Sequence, residues 1–324
     1  MLIISYIVVG VNMKKLLCAL CALVMLLPQA GCGEEAKEPH IDIGDPESGA
    51  GITSASDLID FFKNGGEKAM LSRSIDLGSS MITLSKDRGS ITIEGKGNTI
   101  SGNGDCVIRL DDGAKLTLNN VNITGGTEGI GGLGSGSISG ECTINAVSHA
   151  VDFAGGISIG EGSKLYIKSN RGSAIRALNL LIGKNSAVFT QGGASAVNVF
   201  GDDIELDEKA TLEAVTDDNY NALKCTGALI MQDASTFKVT NNGEYHGAEL
   251  NEIELNGVVT IEAKGGDKGV GIFVFDTDNE YYALGFCKPD IVFETGDGSI
   301  TFVNDPSEIP EPTPEPTEEQ QQEE

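Results

Sequence analysis

Short hydrophobic segments recur along the chain, and each is bounded by Gly, Asn, Asp or Ser. The clearest repeated feature is a small residue followed by an apolar one, about every 23 residues. It occurs at Cys106-Val107, Gly129-Ile130, Ala150-Val151, Ala174-Ile175, Ala196-Val197, Ala222-Leu223, Gly247-Ala248 and Gly269-Val270. A repeat of this length indicates a solenoid, in which each unit must stack on its neighbours because it cannot close a core alone.

Two further hydrophobic segments follow within each unit. The second set is Ile157-Ser158-Ile159, Leu180-Leu181-Ile182, Ile204-Glu205-Leu206, Leu229-Ile230-Met231 and Ile253-Glu254-Leu255, and the third set is Leu165-Tyr166-Ile167, Ala187-Val188-Phe189, Thr211-Leu212-Glu213, Phe237-Lys238-Val239 and Val259-Thr260-Ile261. Hydrophobic and polar residues alternate in several of them, which is typical of a strand with one face inward. The pattern predicts an all-β fold: a right-handed parallel β-helix with three short strands per coil and about 23 residues per coil. The stack is expected to begin with strands at residues 82–84 and 91–93.

A helical pattern precedes the repeat. Residues 54–65 place Leu58, Ile59 and Phe62 on one face, with a serine N-cap at position 54 or 56 and Gly65 at the end. We expect a short amphipathic helix here, which caps the first coil and prevents end-to-end association of exposed strands.

The two ends of the chain differ in composition from the repeat. A basic start at Met13-Lys14-Lys15, an apolar run and small residues before Cys32 predict a signal peptide that begins at Met13. The segment Gln29-Ala30-Gly31-Cys32 resembles the lipobox of bacterial lipoproteins, in which the cysteine is lipidated, although Gln29 departs from the usual leucine-like residue. The predicted domains are a signal peptide (1–31), a lipidated tether (32–51), a parallel β-helix (52–304) and a disordered Pro/Glu-rich tail (305–324).

Charge and composition narrow the range of partners. The formal net charge of −26 repels phosphate backbones, so nucleic acid and anionic membrane surfaces are poor partners, and membrane contact is expected only through the lipid anchor. Aromatic residues make up only 5% of the chain and tryptophan is absent, so the core must consist of Ile, Val, Leu and Ala. The mature domain has no C-x-x-C pair, so neither a zinc site nor a redox motif is expected.

Two resemblances to known proteins follow from the repeat. Residues 90–102, after the capping helix and before the stacked coils, resemble the opening coils of the pectate-lyase-like β-helix superfamily. This resemblance covers about residues 52–304 and implies the fold, since the superfamily includes lyases, hydrolases, adhesins and binding modules. Residues 221–240 and 245–261 are similar to non-catalytic, carbohydrate-binding β-helix proteins of anaerobic bacteria, which implies glycan binding.

Catalytic patterns of that superfamily are absent from the sequence. None of the five arginines of the mature chain lies in an Arg-x-Pro-x-x-Arg pattern, and neither Gly-His-Gly nor Asn-Thr-Asp occurs. Tyr245-His246-Gly247 comes nearest to a hydrolase motif but lacks its leading glycine. We therefore expect no catalytic residues.

Paired acidic and aromatic side chains are the candidate ligand groups. Asp202-Asp203 and Asp217-Asp218 fall in two turns of one predicted coil, and carboxylate oxygens are preferred ligands of calcium. Calcium held there would bridge this acidic protein to a uronate-rich glycan. Tyr281-Tyr282 lies in an excursion from the C-terminal coils, where exposed rings would stack on sugars. Solvated turn aspartates and an aromatic end cap are the alternative interpretations of these two features.

These features together predict a monomeric, non-catalytic, polysaccharide-binding β-helix protein. It would be extracytoplasmic, held at the cell surface by its lipid, with calcium as the candidate cofactor. Two alternatives stay open: an adhesin or structural surface protein, and a polysaccharide lyase with an atypical site.

Overall fold

Three β-sheets wind around one hydrophobic column in the computed structural model of the chain. The structure describes residues 51–256, 259–269, 271–274 and 300–302. Over these residues the chain completes about eight turns of about 24 residues, with three strands in each coil. The prediction of a parallel β-helix is confirmed. The predicted signal peptide, the tether up to residue 50 and the tail lie outside the described residues.

Each sheet takes one strand from every coil, so strands that are neighbours in a sheet are three apart in the chain, except for β26 and β28. Sheet 1 contains β1 (Lys68–Met70), β4 (Ser90–Glu94), β7 (Lys115–Asn119), β10 (Ser135–Ser139), β13 (Ile157–Ile159), β16 (Leu180–Ile182), β19 (Ile204–Leu206), β22 (Ala228–Gln232) and β25 (Glu252–Asn256). Sheet 2 contains β2 (Ile75–Asp76), β5 (Thr99–Gly102), β8 (Asn122–Gly125), β11 (Glu141–Ala146), β14 (Lys164–Ser169), β17 (Ala187–Gly192), β20 (Thr211–Thr216), β23 (Thr236–Asn241), β26 (Val259–Lys264) and β28 (Ile300–Phe302). Sheet 3 contains β3 (Ile82–Leu84), β6 (Cys106–Leu110), β9 (Glu128–Gly132), β12 (His149–Phe153), β15 (Ile175–Ala177), β18 (Val197–Val199), β21 (Leu223–Cys225), β24 (Ala248–Leu250) and β27 (Ile272–Val274).

Equivalent residues of consecutive coils pair directly, which is how the column is filled. In sheet 2, Val188 pairs with Leu212 and Leu212 with Phe237, and all three side chains are buried. Parallel pairing about 4.8 Å apart satisfies the backbone groups of each strand with those of the next coil. Only β28 departs from this scheme among the described strands, because it pairs antiparallel with β26.

The third set of sequence segments does not align residue by residue as the triplets suggest. Tyr166 pairs with Phe189, and Leu165 pairs with Val188, so the triplet that begins at residue 187 is shifted by one relative to the triplet that begins at 165. A shift of one residue exchanges the inward and outward faces of a strand. Phe189 consequently points outward beside Tyr166, and Val188 fills the core.

The corner from sheet 1 to sheet 2 repeatedly uses left-handed backbone conformation. Non-glycine residues with positive φ at this corner are Lys96, Asn120, Asn185, Lys209 and Ala234, with φ between 51° and 59°. Such a conformation costs a residue with a Cβ atom about 1 kcal/mol. Its recurrence in most coils shows that the tight corner, rather than the individual side chain, dictates the backbone geometry.

The predicted capping helix is confirmed as α1 (Ala55–Asn64). The Ser54 hydroxyl accepts a hydrogen bond from the Asp57 backbone N–H and so caps the helix, as predicted. Leu58, Phe61 and Phe62 are buried against the first coils, while Ile59 is only partly buried. Two of the three predicted residues are therefore buried, and Phe61 takes the place of Ile59.

Arg88 fastens the C-terminal end of α1 to the stack. Its guanidinium donates hydrogen bonds to the carbonyl oxygens of Phe61, Phe62, Gly65 and Gly66, at 3.4, 3.2, 2.5 and 2.9 Å. A cation at the C-terminal end of a helix satisfies carbonyl groups that have no partner within the helix and complements the helix dipole.

The stack begins earlier than the sequence pattern predicts. β1 and β2 precede the predicted first strands, and Ile52 forms a parallel bridge with Leu71. Because β1 and β2 have only three and two residues, they are too short to show an alternating pattern. No helix among the described residues is both long enough and apolar enough to cross a bilayer.

Candidate ligand-binding site

Sheet 2 presents the widest outward surface of the solenoid because its central strands are the longest. Six strands that are consecutive in this sheet have six residues each: β11, β14, β17, β20, β23 and β26. Each exposes three side chains. The middle outward row is Thr143, Tyr166, Phe189, Glu213, Lys238 and Glu262, and the third outward row begins with Asn145, Lys168, Gln191, Val215 and Thr240.

The middle row contains a stacked aromatic pair. The ring centroids of Tyr166 and Phe189 are 5.1 Å apart and the ring planes are 13° from parallel. Tyr166 is 40% exposed, because it points away from the hydrophobic column that its neighbours Leu165 and Ile167 fill. The Lys164 ammonium lies 5.3 Å from the centroid of the Tyr166 ring, and the Tyr166 phenol raises the pKa of Lys164.

A depression of about 430 Å³ lies beside the two rings, and we call it the aromatic groove. Its lining is Asn145, Tyr166, Ile167, Lys168, Phe189, Thr190, Gln191, Glu213 and Val215. The middle row supplies one wall with the aromatic rings, and the third row supplies the other wall with amide and ammonium groups. Aromatic side chains and hydrogen-bonding groups therefore line the same depression, which suits a ligand with one apolar and one polar side.

The charges of the groove are separated along the solenoid axis. Lys168 is exposed, and it takes part in none of the ion pairs between described residues. Glu213 lies two coils further on, and the Lys238 that follows it in its row is paired with Glu262 at 2.7 Å. The groove thus has a cationic end and an anionic end.

The structure places the two predicted aspartate pairs at different corners. Asp202-Asp203 lies between β18 and β19, and Asp217-Asp218 lies between β20 and β21, so the pairs flank sheet 3 from opposite sides. Asp203 already accepts a hydrogen bond from the Ala228 backbone N–H at 2.7 Å. No three His, Cys, Asp or Glu side chains within the described part of the chain form a group that could hold a metal ion.

Asp217 contacts a residue of the aromatic groove, whereas Asp202-Asp203 lies at another corner. Its carboxylate accepts hydrogen bonds from Gln191, at 3.5 Å, and from Asn242, at 2.8 Å. Because Gln191 lines the groove, the corner that holds Asp217 adjoins the polar wall. The calcium site stays a prediction, and the corner at Asp217-Asp218 is the half of it that adjoins the candidate site.

Other residues singled out in the sequence have structural roles or lie elsewhere. Cys32, Tyr281 and Tyr282 lie outside the described residues. Cys106 and Cys225 are buried free thiols, and burial raises the pKa of each to about 11, so both stay protonated and unreactive near neutral pH. His246 is stacked on Phe273 with centroids 4.8 Å apart, and burial lowers its pKa.

Sequence reasoning missed the aromatic groove. Tyr166 and Phe189 stand 23 positions apart, close to one repeat, which is the signal that could have found them. The triplet pattern concealed it because it placed Phe189 one position out of line with Tyr166.

No protein-family model, curated protein or solved structure matches this chain.

Proposed function

We propose that this protein is a non-catalytic, polysaccharide-binding β-helix protein that is anchored by lipid at the cell surface and holds a glycan in the aromatic groove. The observation that carries the proposal is the outward-facing stacked pair of exposed Tyr166 and half-buried Phe189 beside a row of amide and ammonium groups. The likeness to non-catalytic carbohydrate-binding proteins within the pectate-lyase-like superfamily belongs to the same proposal.

The two walls of the groove match the two kinds of surface on a sugar ring. The C–H groups of a pyranose form an apolar patch that packs against aromatic rings, and its hydroxyl groups seek hydrogen-bond partners. Asn145 and Gln191 offer amide donors and acceptors, and Lys168 offers a donor with a full charge. A repetitive strand face also suits a repetitive polymer.

The lining favours binding over hydrolysis. Glycoside hydrolysis requires two carboxyl groups on either side of the scissile bond, one as the acid and the other as base or nucleophile. Glu213 is the one acid among the residues that line the groove. A lyase with an atypical site would be revealed by unsaturated products that absorb ultraviolet light after incubation with polygalacturonate.

The charge of Lys168 supports a uronate-containing glycan as ligand. Because Lys168 forms no ion pair with another described residue, its ammonium group can attract a carboxylate directly, even though the protein as a whole is acidic. Calcium at Asp217-Asp218 would add a second attraction next to Gln191. Addition of a chelator separates the two: unchanged binding after chelation would exclude calcium and leave Lys168 as the source of the attraction.

The proposal is tested with the full chain in affinity gel electrophoresis against polygalacturonate, xylan and mixed-linkage β-glucan. We expect one of these polymers to retard the protein. Tyr166→Ala should weaken retardation about tenfold, since an aromatic contact to a sugar is worth roughly 1.4 kcal/mol. Leu181→Ala is the matched control, because Leu181 is also 40% exposed but lies on sheet 1.

Two results would contradict the proposal. Equal effects of Tyr166→Ala and Leu181→Ala would show that the aromatic groove is not the binding site. If no polymer retarded the protein and it bound no saccharide on a glycan array, the results would favour an adhesin or structural surface protein.

The anchor is a separate part of the proposal because Cys32 lies outside the described residues. Cys32→Ala should shift the protein from the membrane fraction to the soluble fraction. An unchanged distribution would show that lipid on this cysteine does not hold the protein.

A further inference from the structure

A second depression lies on the same face of the solenoid, and we call it the amide depression. Its volume is about 400 Å³, and its lining is Lys96, Gly97, Asn120, Asn122, Glu141 and Thr143. These residues come from the corner before sheet 2 and from the first positions of β8 and β11. No aromatic residue contributes to this lining.

The amide depression adjoins the aromatic groove along the middle outward row of sheet 2. Thr143 of the amide depression pairs in register with Tyr166 of the groove, and Glu141 pairs with Lys164. Asn145 of the groove is on the same strand as Thr143. The two depressions are therefore consecutive along the solenoid axis.

Together the two depressions span the coils from β5 to β20. This is a distance of about 24 Å, because successive coils are about 4.8 Å apart. One sugar of an extended glycan is about as long as one coil spacing, so the combined surface has room for roughly five sugars.

The amides of the second depression are held in place before any ligand binds. Asn122 accepts a hydrogen bond from the Thr143 backbone N–H at 2.8 Å and donates one to the Gly97 carbonyl at 3.0 Å. Asn120 accepts one from the Glu141 backbone N–H at 2.9 Å and donates one to the Asn119 side chain at 3.0 Å. An amide NH₂ group has two hydrogens, so each asparagine retains a second donor. Fixed donors lose little entropy on binding.

We infer that the two depressions form one track for a linear glycan of about five or more sugars, which runs along the solenoid axis. The inference rests on the proposed function and adds a second subsite to it. The aromatic groove supplies the primary contact, and the amide depression, with exposed Lys96 and Glu141 at its rim, binds the hydroxyl groups of sugars further along the chain. Affinity then depends on the length of the oligosaccharide.

The test is calorimetric titration of the full chain with oligosaccharides of two, four and six sugars. They are prepared from whichever of polygalacturonate, xylan and mixed-linkage β-glucan the protein binds. We expect the six-sugar ligand to bind at least tenfold more tightly than the two-sugar ligand. The double variant Lys96→Asn with Glu141→Gln should weaken binding of six sugars about fivefold and leave binding of two sugars unchanged.

Asparagine at position 96 keeps a residue type that tolerates the left-handed backbone found there. The control is Lys209→Asn, since Lys209 occupies the equivalent left-handed corner position, outside both linings. It should change neither affinity.

Equal affinity for two and six sugars, or equal weakening of both by the double variant, would overturn the inference while the proposed function stands. Failure of all three polymers to bind would instead contradict the proposed function itself.

Discussion

Tyr166 and Phe189 occupy positions where the core does not require large apolar side chains. Their row contains Thr143 on one side of the pair and Glu213 on the other, so polar residues occupy equivalent outward positions of the same sheet. An outward-facing aromatic pair with one exposed ring carries a solubility cost that polar residues would avoid. Its position beside amides supports the proposed glycan site.

Lys168 gives a prediction about ligand charge. Lys168→Gln should weaken binding of oligogalacturonate about fivefold, because a partly exposed ion pair is worth up to roughly 1 kcal/mol. The loss should shrink as salt is raised, since exposed charges are screened within about 8 Å at physiological ionic strength. Titration calorimetry at low and high salt measures both effects.

The control for this prediction is Lys115→Gln. Lys115 is likewise an exposed strand lysine that takes part in none of the ion pairs between described residues, but it lies on sheet 1. If both variants lowered affinity equally, Lys168 would act through overall charge and not through the groove.

At the scale of elements, α1 was predictable because the information that forms it is local. Its serine cap, its hydrophobic face and its terminal glycine lie within 12 residues of one another. The residue that fastens α1 to the stack was not predictable, because Arg88 is more than 20 residues away, at the end of a three-residue 3-10 helix. No local pattern relates the two.

Arg88 leads to a prediction about stability. Arg88→Ala should lower the free energy of unfolding by about 2 kcal/mol, because several carbonyl groups lose a charged hydrogen-bond donor. Arg88→Lys should lower it by a smaller amount, since an ammonium group keeps the charge but cannot reach all four carbonyls. Urea unfolding followed by circular dichroism gives these differences.

Arg73→Ala serves as the control for Arg88, because Arg73 is exposed. Its effect should stay below about 0.5 kcal/mol, which is usual for surface positions. Equal midpoints for the variants at positions 73 and 88 would show that the guanidinium contacts do not stabilise the cap.

At the scale of the whole molecule, the stack is one-dimensional, since each coil contacts only the coils above and below it. Deletion of residues 164–186 removes one coil and joins Ser163 to Ala187, which occupies the position of Lys164 in register. We expect the shortened protein to keep its β-sheet circular dichroism and to elute as a folded species, while glycan binding is lost because Tyr166 and Lys168 are removed together.

Deletion of residues 164–175 is the matched comparison. It removes only half a coil. The chain after Ser163 would then continue with residues of sheet 3 where a strand of sheet 2 is required, so folding should fail. A full-coil deletion that unfolds as completely as the half-coil deletion would contradict the one-dimensional description.

The sequence by itself determined the period, the three strands per coil and the capping helix, because each depends on residues close together in the chain. Only the tertiary structure decided which outward side chains lie side by side. Tyr166 meets Phe189, and Thr143 joins the two depressions, through pairings between strands one coil apart. Such pairings cannot be read from a degenerate repeat with coils of unequal length, because a shift of one residue turns an inward side chain outward.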